Sequence, residues 1–130
     1  MAPISVTLAP RDPPAAVVAL VGEHDAYSAA RLESELTALL DEGLCVAVDL
    51  RDTEFIDSTT LGTLIGAVRH AERVRLGLTF ALPHRNYTEV NQLLDLTGLG
   101  TTFAIYNTLD DALAAARRGI TKGDSVRSAA

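Results

Sequence analysis

The chain has 130 residues, of which 48% are hydrophobic and 22% charged, and its formal net charge is −6. This length suits one domain with a substantial hydrophobic core, and the composition is typical of a folded globular protein. The acidic balance, with an isoelectric point near 4.9, argues against nucleic acid or an anionic membrane surface as the main partner.

The single cysteine, Cys45, excludes an intrachain disulfide, and its neighbours Leu44 and Val46 predict a small buried side chain. No segment shows the basic, apolar, small-residue order of a signal peptide, and no apolar run is long enough to cross a bilayer. We therefore expect a cytoplasmic protein.

Strands are predicted where apolar residues alternate or run together, and helices where they recur every three or four residues. The predicted strands are an edge strand over residues 3–8 and further strands over 15–21, 46–50, 75–82 and 102–106. The predicted helices are one carrying Leu32 to Leu40, one over 58–73, one from Tyr87 to near Gly98, and one from its cap Thr108 to Gly119. Residues 23–25 are predicted to form a polar loop, after which Asp25 or Ser28 can cap the first helix.

This alternation predicts an α/β fold with a mostly parallel, mixed sheet of about five strands and four helices. The pattern shows no internal repeat and no domain boundary. We expect a single domain over residues 1–120 and a disordered tail over 121–130, where the sequence is small and polar.

The segment 46–68 contains the densest cluster of side chains that could take part in binding or modification. Its apolar strand is followed by Asp57, Ser58, Thr59 and Thr60, directly before a helical pattern of apolar residues. A carboxylate or hydroxyl in that place indicates a helix N-terminus, and Ser58 as a simple N-cap would explain the pattern. The cluster contains more polar side chains than a cap requires, however, because capping needs one side chain and this segment offers a carboxylate and three hydroxyls.

Two glycines, Gly62 and Gly66, lie one turn apart on the predicted helix that follows. They could leave a face open to another protein surface, or they could allow tight packing on the sheet. The sequence favours neither interpretation.

The residues FIDSTTLG at 55–62 resemble the phosphorylation loop of the STAS family, in particular of bacterial anti-sigma factor antagonists, which typically read [FY]-[ILM]-D-S-[ST]-G-[LIM]-G there. Two further stretches resemble the family in the expected order. Residues 20–29 are similar to its GE[IL]D loop, and residues 93–99 to its late L-F-x-x-[ST]-G-L segment. The chain departs from the pattern at Thr60, where the family usually has glycine, and at His24, where it has an aliphatic residue.

The resemblance implies a STAS-like domain that binds an anti-sigma factor when unphosphorylated and loses that binding on phosphorylation. By position, Ser58 corresponds to the phosphorylated serine, with Thr59 and Thr60 as alternative acceptors. The implied partners are an anti-sigma factor that is also a serine kinase with a histidine-kinase-like ATPase domain, and a serine phosphatase. The implied contact surface comprises Glu23, His24, Asp25, Asp57, Ser58, Thr59, Thr60, Leu61 and Gly62.

Two alternatives remain. The domain could be a scaffold subunit of a stress-sensing or transporter complex that is never phosphorylated, and Thr60 keeps that interpretation open. A small enzyme is less favoured, because Ser58 lies in no G-x-S-x-G elbow and the three histidines have no metal-binding spacing. We expect no enzyme activity, no metal and no cofactor, and the sequence leaves the oligomeric state open.

Overall fold

The computed structural model describes residues 3–9, 11–83 and 88–123. Within these residues the chain forms seven strands and five helices. The strands are β1 (Ile4–Ala9), β2 (Ala15–Leu20), β3 (Gly22–His24), β4 (Cys45–Asp49), β5 (Thr53–Ile56), β6 (Leu78–Ala81) and β7 (Ile105–Tyr106). The helices are α1 (Ala26–Asp41), α2 (Ser58–Val74), α3 (Glu89–Thr97), α4 (Leu99–Thr102) and α5 (Leu109–Arg117).

The main sheet has five strands in the order β1-β2-β4-β6-β7. The edge strand β1 runs antiparallel to β2, and the other neighbours are parallel, so the predicted mixed and mostly parallel sheet is confirmed. The predicted number of helices is wrong, because the described residues form five and not four. The additional helix, α4, has only four residues and contains Gly100, which is too short to produce a helical pattern in the sequence.

The two faces of the main sheet pack against different helices. In β4, the larger Val46 and Val48 face the main core with α1, α2 and α3, whereas Cys45 and Ala47 face α5. All five residues of β4 are buried because helices cover both faces. Cys45 is free and 3% exposed, which confirms the buried side chain predicted for it.

A second sheet, β3 paired in parallel with β5, corrects the prediction of a polar loop at residues 23–25. Glu23 and His24 belong to a strand, and the His24 side chain is completely buried. The three-residue strand is invisible in the sequence because its pairing partner lies about thirty residues away and its own composition is polar. This small sheet sets the approach of the chain to both α1 and α2.

The end of the domain remains a prediction. Within the predicted tail, Gly123 N–H donates a 2.7 Å hydrogen bond to the Thr102 carbonyl. Residues 124–130, and Tyr87 at the predicted start of the third helix, lie outside the described residues. Among the described helices, none has the length and apolar character required to span a membrane.

Candidate functional site

The N-terminus of α2 is capped by Asp57. Its backbone is extended, and its Oδ1 accepts a 2.8 Å hydrogen bond from the backbone N–H of Thr60. That hydrogen bond is the main reason why the pKa of Asp57 lies below its usual value. Ser58 is the first residue of the helix, so the interpretation of Ser58 as the N-cap is wrong. Aspartate and serine cap equally well, and the sequence offers no way to choose between neighbours.

The three hydroxyls that follow Asp57 have different environments. Ser58 and Thr59 are exposed, whereas the side chain of Thr60 has no solvent-accessible surface. Thr60 Oγ1 instead donates a 3.4 Å hydrogen bond to the backbone carbonyl of Asp25. The segment of residues 57–60, here called the Ser58 segment, therefore presents two hydroxyls to solvent and turns the third inward.

The N-terminus of α1 lies beside that of α2. Asp25 is the N-cap of α1, and Ser28 completes a capping box, so both predicted capping residues take part. The backbone N–H of Asp57 donates to the His24 carbonyl at 3.1 Å, which joins the end of β3 to the start of α2. Residues 23–25, here called the Glu23 segment, and the Ser58 segment are thus adjacent.

His24 is part of the support beneath this surface. Its Nε2 donates to the Val21 carbonyl at 3.1 Å, and its Nδ1 lies 3.1 Å from Ser28 Oγ. Burial lowers the pKa of His24, although the hydrogen bond to Val21 and the charge of Asp25 oppose that shift. Since both ring nitrogens are engaged away from Ser58, His24 is not placed to activate that hydroxyl as a general base.

The residues implied as a contact surface fall into two groups. Side chains that reach the surface come from Glu23, Asp25, Asp57, Ser58 and Thr59, and Gly62 exposes its backbone. His24 and Thr60 are fully buried and Leu61 is 7% exposed. The buried three can shape the surface but cannot make substantial contact with a partner.

Two exposed aromatic residues were missed by the sequence reasoning. Phe55, which lies in register with Glu23 across the small sheet, is 42% exposed. Tyr27, in the first turn of α1, is 93% exposed. Period-two alternation would not have identified Phe55, because β5 is buried at Thr53 and Ile56 and exposed at the two residues between them. Exposed aromatic side chains are common anchors of protein interfaces.

The family model of the STAS domain matches residues 7–112. The chain belongs to the STAS domain family. The resemblance drawn from the three sequence stretches is thereby confirmed.

Relatives of this STAS domain are anti-sigma factor antagonists. The Anti-sigma-B factor antagonist of Listeria monocytogenes is 30% identical over 106 residues, covering 80% of this chain and 90% of the relative. The Anti-sigma-F factor antagonist RsfB of Mycobacterium tuberculosis is 31% identical over 120 residues, covering 91% and 95%. A crystal structure of an anti-sigma factor antagonist from Mycobacterium paratuberculosis has 29% identity and a TM-score of 0.68, covering 88% of this chain and 95% of that one.

The two glycines of α2 lie on the outer face of the STAS domain. A Cβ atom added at Gly62 or Gly66 would meet no atom within 4 Å apart from the helix itself and the adjacent residues. Tight packing on the sheet is therefore not the reason for either glycine. The alternative interpretation, a helix face that another surface can approach, agrees with the structure.

Two grooves of the STAS domain lie away from Ser58. One, of about 270 Å³, runs between α1 and α2 and is lined by Glu33, Thr37, Thr63, Gly66, Ala67, His70 and Arg73. The other, of about 480 Å³, lies between the end of β1 and α5 and is lined by Ala9, Arg11, Asp110, Leu113, Ala114 and Arg117. Among the described residues, no three His, Cys, Asp or Glu side chains are grouped in a way that could hold a metal ion.

Proposed function

We propose that this STAS domain is an anti-sigma factor antagonist that acts by binding and has no enzyme activity. Unphosphorylated, it binds an anti-sigma factor and so allows the sigma factor to direct transcription. Phosphorylation of Ser58 by that anti-sigma factor, acting as a serine kinase with a histidine-kinase-like ATPase domain, ends the binding. A serine phosphatase restores it, and the cycle takes place in the cytoplasm.

The observation that carries the proposal is the different exposure of the hydroxyls in the Ser58 segment. A kinase must reach the oxygen that it modifies, and only Ser58 and Thr59 of the three are exposed. Thr60 is sealed by its neighbours and bonded to the Asp25 carbonyl, so its phosphorylation would require local unfolding. Of the two accessible residues, Ser58 occupies the family's acceptor position.

A phosphate on Ser58 is compatible with the fold. Phosphorylation adds about −1.5 to −2 charges at pH 7, and the N-terminus of a helix stabilises negative charge. Asp57 caps α2 immediately beside it, so the phosphate also experiences repulsion from one carboxylate. We expect these opposing effects to leave the folded domain close to its original stability.

The same phosphate acts strongly on a docked partner. Glu23 and Asp25 are exposed in the Glu23 segment, which lies beside the Ser58 segment, and Tyr27 and Phe55 are exposed in α1 and β5. A partner that docks on the two segments would have to cover Ser58 and remove water from a doubly charged group. Burying an uncompensated charge costs several kcal/mol, and about 1.4 kcal/mol already changes affinity tenfold.

Incubation with the anti-sigma factor and ATP, followed by phosphopeptide mass spectrometry, tests the proposal. We expect a single phosphate on Ser58, its loss in Ser58→Ala, and its retention in the matched control Thr59→Ala. Modification of Thr59 alone would show that Ser58 is not the residue that carries the switch. Absence of any phosphate in wild type would contradict the cycle.

One observation favours a second function, a scaffold that is never phosphorylated. The hydrogen bonds of Thr60 hold the Ser58 segment against α1, and a kinase that needs the segment to extend would meet resistance. In that case wild type would bind its partner in a pull-down but remain unmodified after incubation with the kinase and ATP.

A further inference from the structure

Two of the positions at which the chain departs from the family pattern, His24 and Thr60, meet in the structure. His24 lies in β3 and Thr60 in α2, and both are polar side chains with no exposed surface. Their hydrogen bonds converge on the first turn of α1. Buried polar groups are costly unless bonded, so their presence in this place calls for a physical role.

A continuous set of polar contacts joins the two residues. His24 Nδ1 contacts Ser28 Oγ at 3.1 Å, and Ser28 Oγ lies 3.1 Å from the Asp25 carbonyl, which also accepts from Thr60 Oγ1. The backbone N–H groups of Ser28 and Ala29 point to the same carbonyl at 3.1 and 3.0 Å. The Asp25 carbonyl is thus the shared acceptor of groups from α1 and α2.

Thr60 is held from two directions. Its backbone N–H is bonded to the Asp57 carboxylate, and its hydroxyl reaches the Asp25 carbonyl. The hydroxyl also lowers the pKa of Asp57 through a side-chain hydrogen bond, so its single proton is shared between that carboxylate and the Asp25 carbonyl. A glycine at position 60 could not form the link through its side chain and would allow the backbone more freedom.

We propose that His24 and Thr60 are a coupled pair of positioning residues that hold the Glu23 segment and the Ser58 segment together as one rigid surface. Thr60 supplies the link from α2, and His24 fixes the Ser28 hydroxyl and the Asp25 turn that receive it. Neither residue touches the partner. The consequence for partner binding rests on the proposed function, whereas the link itself is a property of the free domain.

The two residues are coupled because they act on one acceptor. The Ser28 hydroxyl has a single proton, which it can direct to His24 Nδ1 or to the Asp25 carbonyl. Thr60 competes for that carbonyl and so favours donation from Ser28 to His24. Removing either side chain releases the other from part of its constraint. The accelerations of amide exchange caused by the two substitutions should therefore not multiply when the substitutions are combined.

Hydrogen exchange in the free domain tests the link without any partner. The amides of Asp25, Asp57 and Thr60 are informative, since they donate to Ser28 Oγ, the His24 carbonyl and the Asp57 carboxylate. In Thr60→Val, which keeps the shape but lacks the hydroxyl, we expect exchange about fivefold faster in both segments, the effect of one net hydrogen bond. Thr60→Ser should restore the wild-type rates.

The double variant decides the coupling. His24→Ile introduces the family's aliphatic residue and should accelerate exchange at the Thr60 amide, which lies on a different helix. Combined with Thr60→Val it should add little more. Three results would each overturn the proposal. Amide exchange in Thr60→Val could be unchanged, or its acceleration could be confined to the Ser58 segment. Alternatively, the accelerations in the two single variants could multiply in the double variant. If Thr60→Val does not fold, the exchange rate of the Thr60 amide in His24→Ile decides the proposal alone.

Kinase kinetics extend the test to function. Thr60→Val should raise KM for the domain about fivefold with kcat unchanged, because a looser surface binds less well while the Ser58 hydroxyl itself is intact. If wild type is not phosphorylated at all, the proposed function fails while the exchange rates still decide the link. If wild type is phosphorylated and Thr60→Val matches it in both exchange and KM, the link fails and the function stands.

Discussion

Replacing the outer glycines of α2 by alanine should stabilise the domain. Glycine in a helix interior is about 0.8–1.0 kcal/mol less favourable than alanine, and at Gly62 and Gly66 a new Cβ meets no other part of the structure. Each single variant should therefore gain about 1 kcal/mol in the free energy of unfolding. For a domain of this size that corresponds to a rise of roughly 4 °C in Tm.

The assay is thermal unfolding followed by circular dichroism, with urea unfolding as a second measure of the free energy. Gly77 supplies the matched control, because a Cβ at that position would collide with the backbone of Ala116 in α5. Gly77→Ala should therefore be destabilised under the same conditions. A lower Tm in Gly66→Ala would refute the reasoning, since it would require a neighbour packed on a face that is open in the structure.

Two further predictions concern the ends of the helices and the effect of pH. Asp57→Ala should lower the free energy of unfolding by about 1 kcal/mol through loss of the α2 cap, with Asp57→Asn closer to wild type in urea unfolding; equal losses in both variants would contradict capping as the cause. Burial lowers the pKa of His24 below 6.5, so the unfolded chain binds the proton first as the pH falls. The free energy of unfolding should thus decrease below about pH 6.5 and level off once the folded-state pKa is passed, whereas His24→Ile should show a weaker dependence in this range. An identical pH dependence in that variant would show that other groups cause it.

Much of the fold follows from local patterns. The positions of β1 and β2 and the caps Asp25 and Thr108 agree with the structure, because each depends on residues close in sequence. The alternation in β1 does not place its apolar residues in the core, since Val6 and Leu8 are exposed. The mostly parallel sheet follows from the order of those elements. The predicted strand over residues 102–106 was too long, since α4 occupies Thr102 and β7 begins at Ile105.

The details of the site depend on contacts that sequence patterns do not reveal. Pairing of β3 with β5 buries His24, although its neighbours Glu23 and Asp25 are exposed. Thr60 follows two exposed hydroxyls of similar chemistry, but it lies on the same buried face of α2 as Leu64 and Val68. Helical periodicity therefore accounts for the burial of Thr60, whereas His24 is buried by a strand that is distant in sequence, which no local pattern predicts.

The most direct test of the central claim is the dissociation constant of the anti-sigma factor complex, measured by calorimetry with unphosphorylated and Ser58-phosphorylated domain. We predict binding at least about tenfold weaker for the phosphorylated form, a difference of about 1.4 kcal/mol or more. Unchanged thermal unfolding of the phosphorylated domain would assign the loss to the surface. Equal affinity of the two forms would contradict the account.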